Sequence, residues 1–308
     1  MENIEVNEME DSEFYKNNIN YYFRQNKASI YDYELIKIIG FDKYGELALV
    51  SYNIEGVEEK KLYIMEKIEV KSNKFKTEII QKMDVLKNIN SKFLNKVYDY
   101  FFGNEDEKYF AFILMDYCEK GNLNKIIYET NYLNQRTIWR IFIQIVQGLQ
   151  FLYSNNIILK SITPLNIFLD KNNNAKIGSF DFIYDFSDEF LFQENEDLLS
   201  YVSPEILNGL PYTNKCIVWS LGCILYELVF KNKAFNYYNK NINIEIESFE
   251  IPDNCGINFR IFLSKLLCEE QNRLTINEII YNGIIKNQII DNNLFDEILK
   301  DKNKVKGK

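Results

Sequence analysis

Residues 155–180 read "NNIILKSITPLNIFLDKNNNAKIGSF", and this stretch decides the fold. Short apolar runs alternate in it with turn-forming residues, among them Pro164 and a run of Asn. Three of its small polar residues, Ser161, Thr163 and Ser179, carry no charge. Whether the stretch can do chemistry depends on what surrounds it in the chain.

The composition bounds the class of protein. The chain has 308 residues, of which 46% are hydrophobic and 15% aromatic, so we expect one large globular domain or two closely packed lobes. It contains no His, which removes the usual general base near neutral pH and the commonest metal ligand. Any catalysis would therefore depend on carboxylates, Lys, Tyr or Cys.

Charge and targeting features narrow the partners and the location. The net charge of −9 argues against nucleic acid as a partner, because phosphate backbones repel an acidic surface. The five Cys include no CxxC pair, which favours a reduced compartment without structural zinc. The N-terminus has no signal-peptide pattern, and no apolar run has the length of a membrane span. We expect an intracellular, cytoplasmic protein, and the basic tail "KDKNKVKGK" leaves a nuclear location open.

The order of hydrophobic patterns predicts two kinds of lobe. Residues 1–30 form an acidic N-terminal extension, and residues 31–117 contain five strand-like runs and an amphipathic helix with Ser72 as its predicted N-cap. Residues 118–290 are dominated by helical runs, and residues 291–308 form a C-terminal tail. The predicted class is α+β, with a five-stranded antiparallel sheet and one main helix, followed by a mainly helical lobe.

Several motifs, in order, resemble the eukaryotic protein kinase domain from Tyr33 to Gly283. The segment "PLNIFLDKNNNAKIG" is similar to the kinase catalytic loop and the strand pair after it, and "YVSPEIL" is similar to the A-P-E element. "EEQNRLTINEII" is similar to the D-x-x-x-R-P-T element, and "WSLGCILYELVFKNKAF" most resembles NIMA-related Ser/Thr kinases. The resemblance implies a bilobal protein-kinase-like fold.

The positions that carry phosphoryl transfer in that family have changed. The proton-accepting Asp corresponds to Ser161, the phosphate-steadying Lys to Thr163, and the metal-binding Asp of D-F-G to Ser179. Asn166 keeps the identity of the second metal ligand, and Asp181 supplies a carboxylate two positions after Ser179. These two are weak metal candidates, and the resemblance implies no intact catalytic set.

The phosphate-binding positions are altered as well. Gly40 and Gly45 match the outer glycines of the Gly-rich loop, but Asp42 replaces the middle one and would repel phosphates. The strand-three Lys corresponds to Glu66, and its usual Glu partner corresponds to Lys82. We predict a swapped Glu66–Lys82 pair, and two charges that do not meet are the alternative.

The adenine slot is expected to be filled by protein side chains. Leu47, Ile64 and Phe168 fall on its apolar positions and would exclude the ligand by overpacking. The degenerate cleft is completed by the gatekeeper and the hinge positions, Met115, Asp116 and Cys118.

Other family positions support folding rather than chemistry. Glu205 and Arg273 match the ion pair that ties the activation segment to the second lobe, and Trp219 is retained. The buried Asp that holds the catalytic loop backbone in this family corresponds to Ile217. The loop is therefore expected to be released from catalytic geometry.

Together these changes predict a catalytically inactive pseudokinase that acts as a scaffold, or as an allosteric or decoy partner of a kinase or its substrate. No cofactor is expected. The alternative is an atypical Ser/Thr kinase that binds ATP and Mg²⁺ and transfers phosphate weakly, using Asp181, Asn166 and either Lys67 or Lys43. A third hypothesis is nucleotide binding without transfer.

Overall fold

The computed structural model describes residues 33–41, 45–52, 61–105, 107–130, 132–157, 159, 162–178, 196–235, 251–252 and 255–291. The chain divides into two compact units, of which the first comprises Met1–Asn90 and Asn95–Tyr117 and the second comprises Ser91–Leu94 and Cys118–Lys308.

Four residues of the region 31–117 group with the second unit. Leu94 forms a parallel bridge with Ile177, and the Ile177 N–H donates to the Phe93 carbonyl at 2.8 Å. This backbone pairing groups the segment Ser91–Leu94 with the second unit. The division of the chain at residues 30, 117 and 290 stays a prediction.

The first unit is built on a single antiparallel sheet with the strand order β1-β2-β3-β5-β4. Its described elements are β1 (Tyr33–Phe41), β2 (Gly45–Tyr52), β3 (Lys61–Glu69), α1 (Asn73–Asn88), β4 (Val97–Glu105) and β5 (Lys108–Asp116).

The register of this sheet shows on which face α1 packs. Glu66 lies opposite Ile113, which lies opposite Tyr100, and directly opposite residues share a face. The Tyr100 hydroxyl donates to Asp84 Oδ1 of α1 at 2.6 Å. Helix α1 therefore lies on the face of the sheet that carries Glu66, which we call the helix face.

Helix α1 begins where the sequence predicted. The Ser72 hydroxyl accepts a hydrogen bond from the Phe75 N–H at 3.1 Å, so the predicted N-cap is confirmed. The apolar residues Ile79, Met83 and Leu86 recur at three to four positions and are buried. This stripe attaches the helix to the sheet.

The second unit is mainly helical. Its described helices are α2 (Leu123–Glu129), α3 (Gln135–Ser154), α4 (Glu196–Leu199), α5 (Pro204–Leu207), α6 (Cys216–Phe230), α7 (Ile257–Ser264), α8 (Ile276–Tyr281) and α9 (Gly283–Asp291). It also contains the hairpin of β6 (Ile167–Leu169) and β7 (Ala175–Ile177), with 3₁₀ turns at Pro164–Asn166 and Glu270–Asn272. Helix α6 is buried along nearly its whole length, as its apolar sequence predicts.

The predicted α+β class is confirmed, with a five-stranded antiparallel sheet in one unit and helices dominating the other. In the part of the chain that the structure describes, no helix is both long and apolar enough to cross a bilayer. The five Cys are free thiols.

Candidate active-site residues in the two units

Glu66 occupies the most informative position of the first unit. It lies in the middle of β3 with only 2% of its surface exposed, opposite Leu47 on β2 and Ile113 on β5. An ionised carboxylate at that depth is costly unless it is paired. Glu66 does have a partner interaction in this structure.

Lys82 is the partner that the sequence predicts for Glu66. It lies on α1 three positions after Ile79 and four before Leu86, so it shares the buried stripe of the helix. Because α1 covers the helix face, Lys82 and Glu66 lie on the same side of the sheet. The swapped Glu66–Lys82 pair stays a prediction, and this placement supports it.

The two retained glycines of the β1–β2 turn region have different surroundings. A Cβ added at Gly45 would lie 1.6 Å from the Lys67 carbonyl oxygen, whereas one added at Gly40 would meet nothing within 4 Å. Gly45 is therefore needed for the close approach of β2 to β3, independently of any phosphate. Asp42, between them, lies outside the described residues.

The apolar positions of the predicted slot are divided between the units. In the first unit, Ile64 and Met115 are both buried and lie directly opposite each other on β3 and β5, while Leu47 is half-buried. In the second unit, Phe168 is half-buried on β6 and Cys118 is buried. Filling of the slot stays a prediction.

The side chain of Asp116 is held on the opposite face of the sheet. Asp116 lies opposite Tyr63, and its Oδ1 accepts a hydrogen bond from the Tyr98 hydroxyl at 2.7 Å. Burial, followed by the hydrogen bond to Asp116 and the charge of that carboxylate, raises the pKa of Tyr98 to about 12. Tyr98 therefore stays a hydrogen-bond donor to Asp116 throughout the physiological pH range.

Thr163 and Asn166 form a closed local network in the second unit. Asn166 Oδ1 accepts hydrogen bonds from the Thr163 N–H at 3.0 Å and from the Thr163 hydroxyl at 3.1 Å. The Thr163 hydroxyl in turn accepts the Leu165 N–H at 3.2 Å. Because an amide oxygen has two lone pairs, both acceptor sites of Asn166 are used within the 3₁₀ turn.

Residues on either side of the loop before this turn are held by described contacts. Ile217, which the resemblance assigns to the position of the family's loop-holding Asp, is buried, and the Tyr212 hydroxyl donates to the Leu159 carbonyl at 2.5 Å. Leu159 and Ile162 are buried. The expected release of the loop from catalytic geometry stays a prediction, because residues 158, 160 and 161 lie outside the described part of the chain.

Glu205 and Arg273 form a buried bidentate ion pair. Two Arg273 nitrogens donate to the two Glu205 carboxylate oxygens at 2.5 and 3.1 Å. Arg273 also donates to the backbone carbonyls of Cys268 and Lys215, and its guanidinium lies 5.0 Å from the ring of the buried Trp219. The carboxylate and the guanidinium therefore both have charge-assisted hydrogen bonds in this buried site.

The titration of Glu205 follows from this pairing. Burial by itself raises the pKa of the carboxyl, but the hydrogen bonds and the charge of Arg273 outweigh it, so the pKa is lowered. Stability from the pair is therefore present at neutral pH and is lost only as pH falls below the ordinary carboxyl range, through the folded-state pKa.

Two described positions bear on the binding of ATP and Mg²⁺. The resemblance assigns the buried Glu66 to the family's phosphate-pairing position, and both lone pairs of the Asn166 amide oxygen accept hydrogen bonds from Thr163. Within the described ranges, no group of three His, Cys, Asp or Glu side chains is arranged to hold a metal ion. Ser161, Ser179 and Asp181 lie outside those ranges.

Sequence reasoning missed two features of the second unit. The Thr163–Asn166 network carries a readable signal, because Thr, then Pro, then Asn three positions on is a typical N-terminal cap pattern. The second feature is Glu227, buried on α6, whose carboxylate oxygens accept the hydroxyls of Tyr128 and Tyr201 at 2.6 and 2.5 Å. No local pattern predicts those two phenols, because they come from distant parts of the chain.

Comparison with known proteins gives the family. The protein kinase domain matches residues 33–283. The chain is 26% identical over 211 residues to "Serine/threonine-protein kinase Nek3" of Oryza sativa subsp. japonica, a match that covers 67% of this chain and 35% of that protein. It is 24% identical over 262 residues to "Probable serine/threonine-protein kinase nek2" of Dictyostelium discoideum, covering 80% and 61%.

A third relative, "Serine/threonine-protein kinase Nek9" of Xenopus laevis, is 27% identical over 259 residues, covering 80% of this chain and 26% of that protein. The chain thus spans less than two thirds of the length of each of these relatives. Since the domain match extends over most of its residues, the chain belongs to the protein kinase superfamily.

Proposed function

We propose that this protein is a catalytically inactive, kinase-like protein that acts by binding other proteins. The observation that carries the proposal is the burial of Glu66, 2% exposed, at the strand-three position where the family has a phosphate-pairing Lys. A buried carboxylate there repels nucleotide phosphates.

The catalytic-loop positions support the same proposal. Thr163 and Asn166 satisfy each other in a turn, and Thr163 has no charge with which to steady a transferred phosphate. Phosphoryl transfer depends almost entirely on positioning and charge neutralisation, so uncharged substitutes remove its main source of rate.

The binding role follows from what the protein retains. The Glu205–Arg273 pair, Trp219 and the buried helix α6 preserve a well-packed second unit. We propose that this unit acts as a scaffold, or as an allosteric or decoy partner, toward a kinase or a kinase substrate. The free thiols support a cytoplasmic location, with a nuclear one as the alternative.

An atypical Ser/Thr kinase is the second candidate, and the names of the relatives favour it. Against it, the Lys67 ammonium lies 4.5 Å from the Phe110 ring centroid. Strand alternation puts Lys67 on the opposite face of the sheet from Glu66, so Lys67 is poorly placed to replace the missing Lys. Lys43 and Asp181 lie outside the described residues.

Thermal unfolding of the purified full chain with ATP and Mg²⁺ tests the proposal. A ligand at 100 times its Kd would add about 2.7 kcal/mol of stability, which for a chain of this size raises Tm by several degrees. We expect no such shift with ATP and Mg²⁺, and none with ATP alone. A parallel assay with radiolabelled ATP and general protein substrates should show no transfer.

The assay is made decisive by an Asp181→Asn variant. Phosphate transfer by the natural chain that this variant abolishes would contradict inactivity and establish the atypical kinase. A Tm shift with ATP but no transfer would instead support nucleotide binding as a structural role. Transfer that is equal in both chains and disappears on repurification would indicate a contaminating kinase, whereas equal transfer that persists would also contradict inactivity.

A further inference from the structure

The face of the sheet opposite α1 is apolar and deeply buried. We call it the aromatic face. Its centre is defined by Leu35, Ala48, Val50, Tyr63, Met65, Phe112 and Leu114, and its rim by Tyr33, Tyr98, Phe101 and Phe110. The exposed fraction is 0% for Leu114, 3% for Phe112 and 7% for Tyr63.

Strand β3 is therefore buried on both sides. Met65 pairs with Leu114 on the aromatic face, while Ile64 and Glu66 are buried on the helix face. A sheet that is buried on both faces needs a packed layer on each. In the described part of the first unit, α1 is the one helix, and it covers the helix face.

The side chains of the aromatic face cannot cover one another completely. Side chains stand roughly perpendicular to a sheet, so the large rings of Tyr63 and Phe112 rise highest above their own strands. Their neighbours across the strands, such as Val50 opposite Tyr63, are no taller. Rings in that position become almost fully buried only beneath a further layer of chain.

The rim of this face combines aromatic rings with the ammonium groups of Lys61, Lys67 and Lys96 and with the Asp116 carboxylate, which accepts the Tyr98 hydroxyl. The Lys61 ammonium lies 4.7 Å from the Tyr98 ring centroid and donates to the Tyr98 hydroxyl at 3.2 Å. The Lys67 ammonium lies 4.5 Å from the Phe110 ring centroid, and the Lys96 ammonium lies 5.1 Å from the Tyr98 ring centroid. A segment that is aromatic in one part and acidic in another would match this surface.

We propose that residues 1–32 of the chain bind the aromatic face and form its missing layer. These residues lie outside the described part of the chain, and their composition fits. Residues 1–13 contain six acidic side chains and no Lys or Arg, and the six aromatic residues that follow are Phe14, Tyr15, Tyr21, Tyr22, Phe23 and Tyr31.

Chain continuity brings this segment to the right place. It leads directly into Tyr33, the first residue of β1, whose ring packs edge-on against Tyr63 with centroids 6.0 Å apart. Five strands spaced about 4.8 Å apart make a sheet roughly 20 Å wide, which about six extended residues or 13 helical residues can cross. Thirty-two residues are therefore ample.

Zero-length carbodiimide cross-linking of the full chain, mapped by mass spectrometry, tests the location. The reagent joins a carboxylate to an amine only when the two are in contact. We expect carboxylates of residues 2–13 to link to Lys61, Lys67 or Lys96 several-fold more often than to Lys74, a control on α1 whose side chain is 89% exposed. Equal yields at Lys74 would overturn the proposal.

A mixture of ¹⁵N-labelled and unlabelled chains separates two origins of a cross-link. If every link joins two peptides that carry the same isotopic label, the segment binds within its own chain. Links of which about half join a labelled to an unlabelled peptide, the proportion that random pairing gives in an equal mixture, overturn it and assign the face to a second copy.

Paired substitutions test the apolar part of the contact. The triple change of Tyr21, Tyr22 and Phe23 to Ser should lower the Tm of the full chain by about 5 °C or more, because it removes buried aromatic surface. The matched control, Asn17→Ser with Asn18→Ser, should leave Tm within about 1 °C. If the triple variant unfolds no earlier than the control, another segment covers the face, and the connection at residues 53–60 would be the next to test.

Discussion

Glu205 and Glu66 are both buried carboxylates, yet they have opposite relations to the protein kinase family. Glu205, in the second unit, keeps the family's charge and its Arg273 partner. Glu66, in the first unit, lies on strand three at the position that the resemblance assigns to the family's phosphate-pairing Lys. Glu205 thus forms an expected ion pair that ties parts of the chain together, whereas Glu66 is a carboxylate where the resemblance implies a Lys.

Replacing Arg273 by Met is the strongest way to break this comparison. The change leaves Glu205 buried without its counter-ion. It also removes the hydrogen-bond donor of the Lys215 and Cys268 backbone carbonyls. We expect the free energy of unfolding to fall by about 3–5 kcal/mol, measured by denaturant titration. Adding Glu205→Gln to the same chain should recover part of that loss, because it removes the unpaired charge.

The control for this experiment is Lys125→Met. Lys125 lies 3.8 Å from Glu129 in an exposed pair on α2, and such pairs contribute about 0–1 kcal/mol. A loss below about 1 kcal/mol in Arg273→Met would show that the buried pair is not what ties the second unit together.

Gly45→Ala should have the next largest effect on the free energy of unfolding, and it tests why a glycine is retained at this position. The new Cβ would collide with the Lys67 carbonyl, so β2 and β3 must separate, at a cost of about 1–3 kcal/mol. Gly40→Ala is the matched control and should stay within about 0.5 kcal/mol, because nothing lies within 4 Å of its added Cβ. Similar losses in both variants would mean that strand packing does not explain Gly45.

Thr163→Val is the smallest and most local of these changes. Val keeps the shape of Thr but cannot accept from Leu165 or donate to Asn166, so the 3₁₀ turn should lose about 1 kcal/mol. Thr163→Ser preserves the hydroxyl and should retain most of that stability. Hydrogen exchange at the Leu165 amide reports the turn directly, and equal protection in both variants would contradict the capping role.

Sequence patterns predicted much of the fold, for physical reasons visible in single residues. Ser72 caps α1 because its hydroxyl accepts the N–H of Phe75, three residues further along. Hydrogen bonds over so short a distance in the chain can be predicted from the local sequence. The buried stripe of Ile79, Met83 and Leu86 follows from helical periodicity alone. Alternation likewise put Glu66 and Lys67 on opposite faces of β3.

Long-range hydrogen bonds are what sequence reasoning did not find. The Tyr212 hydroxyl donates to the Leu159 carbonyl from 53 positions away, and the residue type at Ile217 gives no indication of that contact. Ile217 is visible in the sequence, whereas the position of Tyr212 depends on the path of the chain between α5 and α6. A missing partner in a motif therefore says little until the neighbours in space are known.

Local sequence was sufficient to identify the α+β class, the main helix of the first unit and the loss of charged groups from the catalytic motifs, because propensity, periodicity and charge act over a few residues. Only the tertiary structure decided that Glu66 is buried, that the Glu227 carboxylate accepts the hydroxyls of Tyr128 and Tyr201, and that Tyr212 donates to the Leu159 carbonyl. Burial and satisfaction of a polar group depend on every segment that packs around it, and that information is not local in the chain.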